Sequence, residues 1–97
     1  MSAIRIFVPC DAAALGVGAD ETARAIAAEA KRRSIEVNIV RNGTRGMLWL
    51  EPLVEVATPQ GRVAYGPVSA DDVAGLLDAG LLEGASHALG HGLTEAI

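Results

Sequence analysis

Short apolar runs alternate with polar or glycine-rich breaks along this chain, and the period of each run predicts its element. Ile4–Pro9 (IRIFVP) is nearly continuous in apolar residues and rich in β-branched ones, which predicts a strand covered on both faces. Ile4, Ile6 and Val8 fall on one face of it, Arg5 and Phe7 on the other. Between Asp20 and Arg33 the spacing becomes helical. Ala23, Ile26, Ala27 and Ala30 form a narrow face of small residues, which suits a helix lying close to a sheet. Asp20 and Glu21 at its start and Lys31, Arg32 and Arg33 at its end match the helix dipole. Glu29 and Arg33 are spaced for an i,i+4 pair on the solvent side. The period returns to two over Ile35–Val40, with Ile35, Val37 and Ile39 inward and Glu36 and Asn38 outward.

Arg41–Leu50 (RNGTRGMLWL) reads as a loop opened by Asn42-Gly43. A third strand, Leu53–Thr58, begins after Pro52. The turn Thr58-Pro59-Gln60-Gly61 joins it to a fourth, Arg62–Tyr65, as a hairpin. Ser69 is the natural N-cap of a second helix, with Asp72 three residues on. Val73, Leu76, Leu77 and Leu81 face the core, and Gly80 or Gly84 ends the segment. From Gly84 to Ile97 the composition shifts to Gly, Ala and Ser, so residues 84–97 read as a linker or an unfinished next element outside the core, and 1–83 as the folded unit. The order β-α-β, loop, β-β, α predicts an α/β (α+β) domain. Its mixed four-stranded sheet carries helices packed on it, and the first two strands are parallel through a right-handed crossover. That is a thioredoxin-like topology; the alternative, a split β-α-β sandwich, would want one more matched βαβ half, and no internal repeat supplies it.

Composition narrows the function classes. Of 97 residues, 51% are apolar, too many for a disordered chain, and no apolar run approaches the ~18 residues of a membrane span. No charged-then-apolar leader opens the sequence, so a cytoplasmic location is expected. A net charge of -4 and only three aromatic residues argue against a nucleic-acid partner, which wants a basic surface and stacking platforms. The single cysteine excludes a disulfide or an all-thiolate metal cage built within this chain.

The candidate chemistry is sparse. Cys10 ends the first strand ahead of a loop and a helix, a place where a thiol can become reactive, but no second cysteine completes C-x-x-C and Asp11 opposes a thiolate. Gly16-Val17-Gly18 lies where phosphates bind in other folds, yet a third glycine is missing and Asp20 and Glu21 hold the place of the phosphate charge. His87 and His91 are four apart, half of a zinc site if helical, but Gly84, Gly90 and Gly92 disfavour a helix and a solvated tail is expected. Arg41, Arg45 and Trp49 make either an interaction patch or, for Trp49, a cover over one end of the core. Lys31-Arg32-Arg33 reads as a helix-terminal charge match, and Ser69 with Asp71 and Asp72 as a cap. No catalytic set can be composed.

Together these residues resemble the thioredoxin-like [2Fe–2S] ferredoxin family found in the ferredoxin subunit of respiratory complex I. The likeness is greatest to the version at the N-terminus of the flavin-bearing β subunit of NAD-dependent formate dehydrogenases and related diaphorase, NADH-dehydrogenase-type subunits. It spans about Ile4–Leu82, with Gly92–Ile97 resembling the lead into the flavin and NAD(H) domain. In that family a C-x4-C in the first loop and a C-x3-C in the middle loop hold the cluster. The resemblance puts those ligands at Cys10, Leu15, Thr44 and Leu48, so three of the four thiolates are replaced. A single thiolate cannot hold a cluster that takes four ligands. A cis Glu51-Pro52 bond would fit the fold.

The resemblance then implies a non-catalytic structural or docking module with no cofactor of its own. The parent enzyme would pass electrons from formate through iron–sulfur clusters held elsewhere to FMN and NAD. The partners would be the downstream flavin/NAD domain and neighbouring subunits. Arg45, Met47, Leu48, Trp49 and Leu50 are the expected contact residues, since consecutive apolar residues on a loop are costly to leave in water. The alternative is a stand-alone thioredoxin-like binding or thiol redox protein using Cys10; the loose Gly/Ala/His tail favours the first.

Overall fold

In the computed structural model, which describes residues 3–10, 16–42 and 51–93, the apolar runs assemble into one sheet. The first strand, β1 (Ile4–Pro9), lies second from one edge. Helix α1 (Ala19–Arg32) follows and returns the chain to β2 (Val37–Asn42), which pairs with β1 in parallel from Ile4↔Val37 to Pro9↔Asn42. β3 (Val54–Thr58) pairs antiparallel with the other side of β1, and β4 (Gly61–Tyr65) closes the hairpin with β3. A 3-10 turn at Ala70–Asp72 leads into the short helix α2 (Val73–Asp78), and a second 3-10 turn covers Leu81–Glu83.

The α/β class, the parallel first pair and the hairpin are as the sequence predicts; the strand number is not. Gly90–Leu93 forms a fifth strand, β5, antiparallel to β4, giving the order β2-β1-β3-β4-β5. The stretch from Gly84, expected as a linker outside the core, therefore contributes to the sheet, and Leu89 packs against the core. Its pattern hid this. Gly-His-Gly-Leu has no alternating apolar face, and backbone pairing along β4 holds it instead.

Both helices lie against the face of the sheet that carries Ile6, Val8, Val54, Val56 and Tyr65. Ile26, Val68, Val73, Leu76 and Leu81 join these in one core. The buried face of α1 is Ala19, Thr22, Ala23, Ile26 and Ala30. Ala27, expected inward, is exposed, and Thr22 takes an inward place because its hydroxyl has a buried acceptor. Thr22 Oγ1 donates across 2.7 Å to Val68 O, just after the cis Gly66–Pro67 bond. Glu51–Pro52 is also cis.

Local chemistry fixes the ends of the elements. Gly18 caps α1 at φ +97°, a conformation that favours glycine, and its carbonyl accepts the Thr22 N–H at 3.0 Å. Past the C-terminus of α1, Ser34 takes φ 58°, and the Ile35 N–H reaches back to Ala30 O at 2.9 Å. Ser69 and Asp72 form the expected capping box. Asp72 Oδ2 accepts from the Ser69 N–H at 3.1 Å and the Ser69 hydroxyl at 2.9 Å. On the other face of the sheet Phe7, Glu55 and Ala64 align across β1, β3 and β4, and the Arg62 guanidinium lies 3.7 Å from the centre of the Phe7 ring.

Candidate functional site at the carboxyl ends of β1 and β2

In an open α/β sheet the carboxyl ends of parallel strands are where loops gather and sites form. Here those ends are Cys10, just past β1, and Asn42, the last residue of β2. The Cys10 N–H donates to Asn42 O at 2.7 Å, which ties the two strand ends together, and the residue itself is exposed. Arg41 crosses the same place. Its Nε donates to Val8 O at 3.1 Å and its Nη2 to Pro9 O at 2.9 Å; Nη2 also lies 2.9 Å from Asp20 Oδ1 in the first turn of α1. One guanidinium thus joins β2, β1 and the start of α1 beside Cys10.

Arg41, grouped in the sequence with Arg45 and Trp49, commits its Nε and Nη2 to backbone carbonyls and Asp20. The sequence missed this because the second strand was ended at Val40, whereas Arg41 is paired opposite Val8. Asp20 serves the same clamp, and together with Glu21 it makes the first turn of α1, after the turn at Gly16–Gly18, acidic.

Of the four positions aligned with cluster ligands, Cys10 is described; Leu15, Thr44 and Leu48 lie outside the described residues. So do Arg45, Met47, Trp49 and Leu50. His87 and His91 are neither on a helix nor in a loose tail. His87 Nδ1 accepts the Leu89 N–H at 3.0 Å, and His91, on β5, places Nε2 2.9 Å from Gly66 O. The basic end of α1 is a charge match, with one addition. Arg32 and Arg33 both engage Glu29, and Arg33 reaches Asp78 on α2 at 2.7 Å. Hydrogen bonds from Arg32 and then Arg33 hold the Glu29 carboxyl down to about 2. Burial, with the charge of Glu83 adding to it, pushes the Tyr65 phenol up, while its hydroxyl donates to Ala85 O at 2.6 Å.

The sheet order β2-β1-β3-β4-β5, with α1 joining its parallel pair and a β3–β4 hairpin beside it, is a thioredoxin-like fold. No family model matches the chain, and no curated protein matches it significantly. Solved structures do. The wild-type thioredoxin-like [2Fe–2S] ferredoxin from Aquifex aeolicus superposes with a TM-score of 0.67 at 20% identity, over 88% of this chain and 91% of that one. A second structure of a ferredoxin of this kind from Aquifex aeolicus gives 0.68 at 21% identity, over 89% and 86%. A cysteine-to-serine variant of the Aquifex protein gives 0.68 at 20% identity, over 80% and 86%. At these identities the likeness defines the fold.

The residues of this chain do not fit a [2Fe–2S] cluster. Such a cluster takes four ligands, and the chain has one cysteine. Among the described residues no three His, Cys, Asp or Glu side chains come together as a metal site. Among them, too, no helix is long and apolar enough to cross a membrane.

Proposed function

We propose that this chain is a docking module of an NAD-dependent oxidoreductase, derived from a ferredoxin and no longer on the electron path. The observation that carries the reading is the pairing of a ferredoxin fold with a single cysteine. A fold kept after its ligands are gone retains what does not need iron: its shape and its surfaces. The arrangement around Cys10 supports this, because Arg41 ties the strand ends and the helix start by hydrogen bonds that require no metal.

The parent enzyme in this reading is an NAD-dependent formate dehydrogenase, and the module belongs to its flavin-bearing β subunit. Iron–sulfur clusters elsewhere carry electrons from formate to FMN, which reduces NAD. The contact with the flavin domain and neighbouring subunits is assigned to Arg45, Met47, Leu48, Trp49 and Leu50. The resemblance of the sequence to that subunit supports the assignment.

The test is to immunopurify the native polypeptide with an antibody to these residues, then measure its mass, its FMN and its formate-dependent NADH production. The reading expects a polypeptide several times larger than 10 kDa, bound FMN, and NADH formed from formate. A flavin complex that makes NADH only from another donor would reject the formate assignment and keep the docking role. A flavin-free band near 10 kDa would reject both and turn attention to Cys10 as the thiol of a stand-alone protein.

A further inference from the structure

The two histidines that follow α2 are held by hydrogen bonds of opposite sense. His91 Nε2 faces the carbonyl of Gly66 at 2.9 Å, so it must carry a proton and donate. His87 Nδ1 faces the Leu89 N–H at 3.0 Å, so it must be bare and accept. Adding a proton leaves the His91 bond intact, because Nε2–H is present in the imidazolium as well. Adding a proton to His87 Nδ1 removes the acceptor and sets two N–H groups against each other.

The His87 bond sits at the hinge of β5. The same turn is closed by the Gly90 N–H on His87 O at 2.9 Å, and Leu89 O accepts the Gly66 N–H at 2.9 Å, which fastens the turn to the end of β4. We propose that His87 is an acid-released latch: protonation at Nδ1 opens the turn 87–90 and frees β5 from the edge of β4. This is independent of the docking role above.

The surroundings permit that protonation. A cavity of about 170 Å³, lined by residues such as Val63, Ser86 and His87, borders the turn and gives water access to the half-buried ring. Of the ionisable groups on the neighbouring elements, Tyr65 of β4 lies against Gly90 in the same turn and donates to Ala85 O two residues before His87, Glu83 of the 3-10 turn acts on Tyr65, and His91 on β5 is engaged with Gly66 O. None of these forms an ion pair with His87. Beyond its backbone pairing with β4 and the His91 contact with Gly66 O, β5 has no apolar anchor, since Leu93 is exposed and Gly90 and Gly92 bring no side chain to the core.

Amide hydrogen exchange on the 97-residue chain tests the latch, read as protection factors so that the intrinsic pH dependence cancels. Between pH 7.5 and 5.0 the protection of the Gly66, Leu89 and Gly90 amides should fall about tenfold, the worth of one such hydrogen bond. The β1–β3 amides should hold. In His87→Asn, whose side-chain oxygen can accept an N–H two residues on without titrating, protection should be independent of pH. In His91→Gln the fall should persist. Protection that does not change in wild type, that falls equally throughout the sheet, or that still falls in His87→Asn would overturn the proposal.

Discussion

Arg41 Nη2 lies 2.9 Å from Asp20 Oδ1, joining the last turn of β2 pairing to the first turn of α1. The carboxylate is about half exposed, so the ion pair alone contributes about 0–1 kcal/mol. The two bonds from the same guanidinium to Val8 O and Pro9 O are the stronger hold, because a charged donor to a carbonyl contributes about 1.5–3 kcal/mol. Arg41→Met should therefore lower stability by about 2 kcal/mol, and Asp20→Asn by less than about 1. Urea titration of both variants checks the order. Equal losses would mean that the carbonyl contacts contribute nothing.

Thr22 is the one hydroxyl on the buried face of α1, and its bond to Val68 O crosses from the helix to the segment after β4. Thr22→Val keeps the volume and strands that carbonyl without its donor. It should cost about 1–3 kcal/mol, while Thr22→Ser, which keeps the donor, should cost less. Thermal unfolding of the pair gives the comparison.

Ser34 holds φ 58° where α1 ends, a left-handed conformation that L side chains adopt at a cost of about 1–2 kcal/mol. Its side chain is exposed, so nothing is lost from the core by removing it. Ser34→Gly should raise stability by about 1 kcal/mol, net of the extra freedom glycine has in the unfolded chain. A lowered melting temperature would show that the serine side chain holds the turn.

The Glu29 carboxyl is held near 2 by Arg32 and Arg33, against an ordinary value of 4.5. A depressed carboxyl stabilises the folded state above its unfolded value and loses that contribution as pH falls through the folded one. The melting temperature should thus fall between pH 4.5 and 2, and part of that fall should vanish in Glu29→Gln. The group is at the surface, so the effect should be small and should shrink in added salt.

The parts of the fold legible in the sequence were those written by local chemistry. A nearly continuous apolar run marked β1, a period of two marked β2 to within two residues, Ser69 with Asp72 marked a cap, and the Thr58–Gly61 turn marked the β3–β4 hairpin. What stayed hidden depends on contacts far along the chain. Thr22 faces inward because Val68, distant in sequence, offers an acceptor. Gly90–Leu93 is a strand because β4 has a free edge. Arg41 closes the site because Val8 and Pro9 end beside it in a parallel pair. At the site itself Cys10 lies exposed just past the end of β1, while Leu15, Thr44, Leu48 and the run Met47–Leu50 lie outside the described residues.

The central claim, a ferredoxin fold that no longer holds a cluster, is tested most directly by anaerobic reconstitution. The purified chain is incubated with iron and sulfide, desalted, assayed for bound iron, and reduced for EPR. The account predicts a colourless protein with no stoichiometric iron and no rhombic [2Fe–2S] signal. A reduced sample that shows that signal with two irons per chain would contradict it.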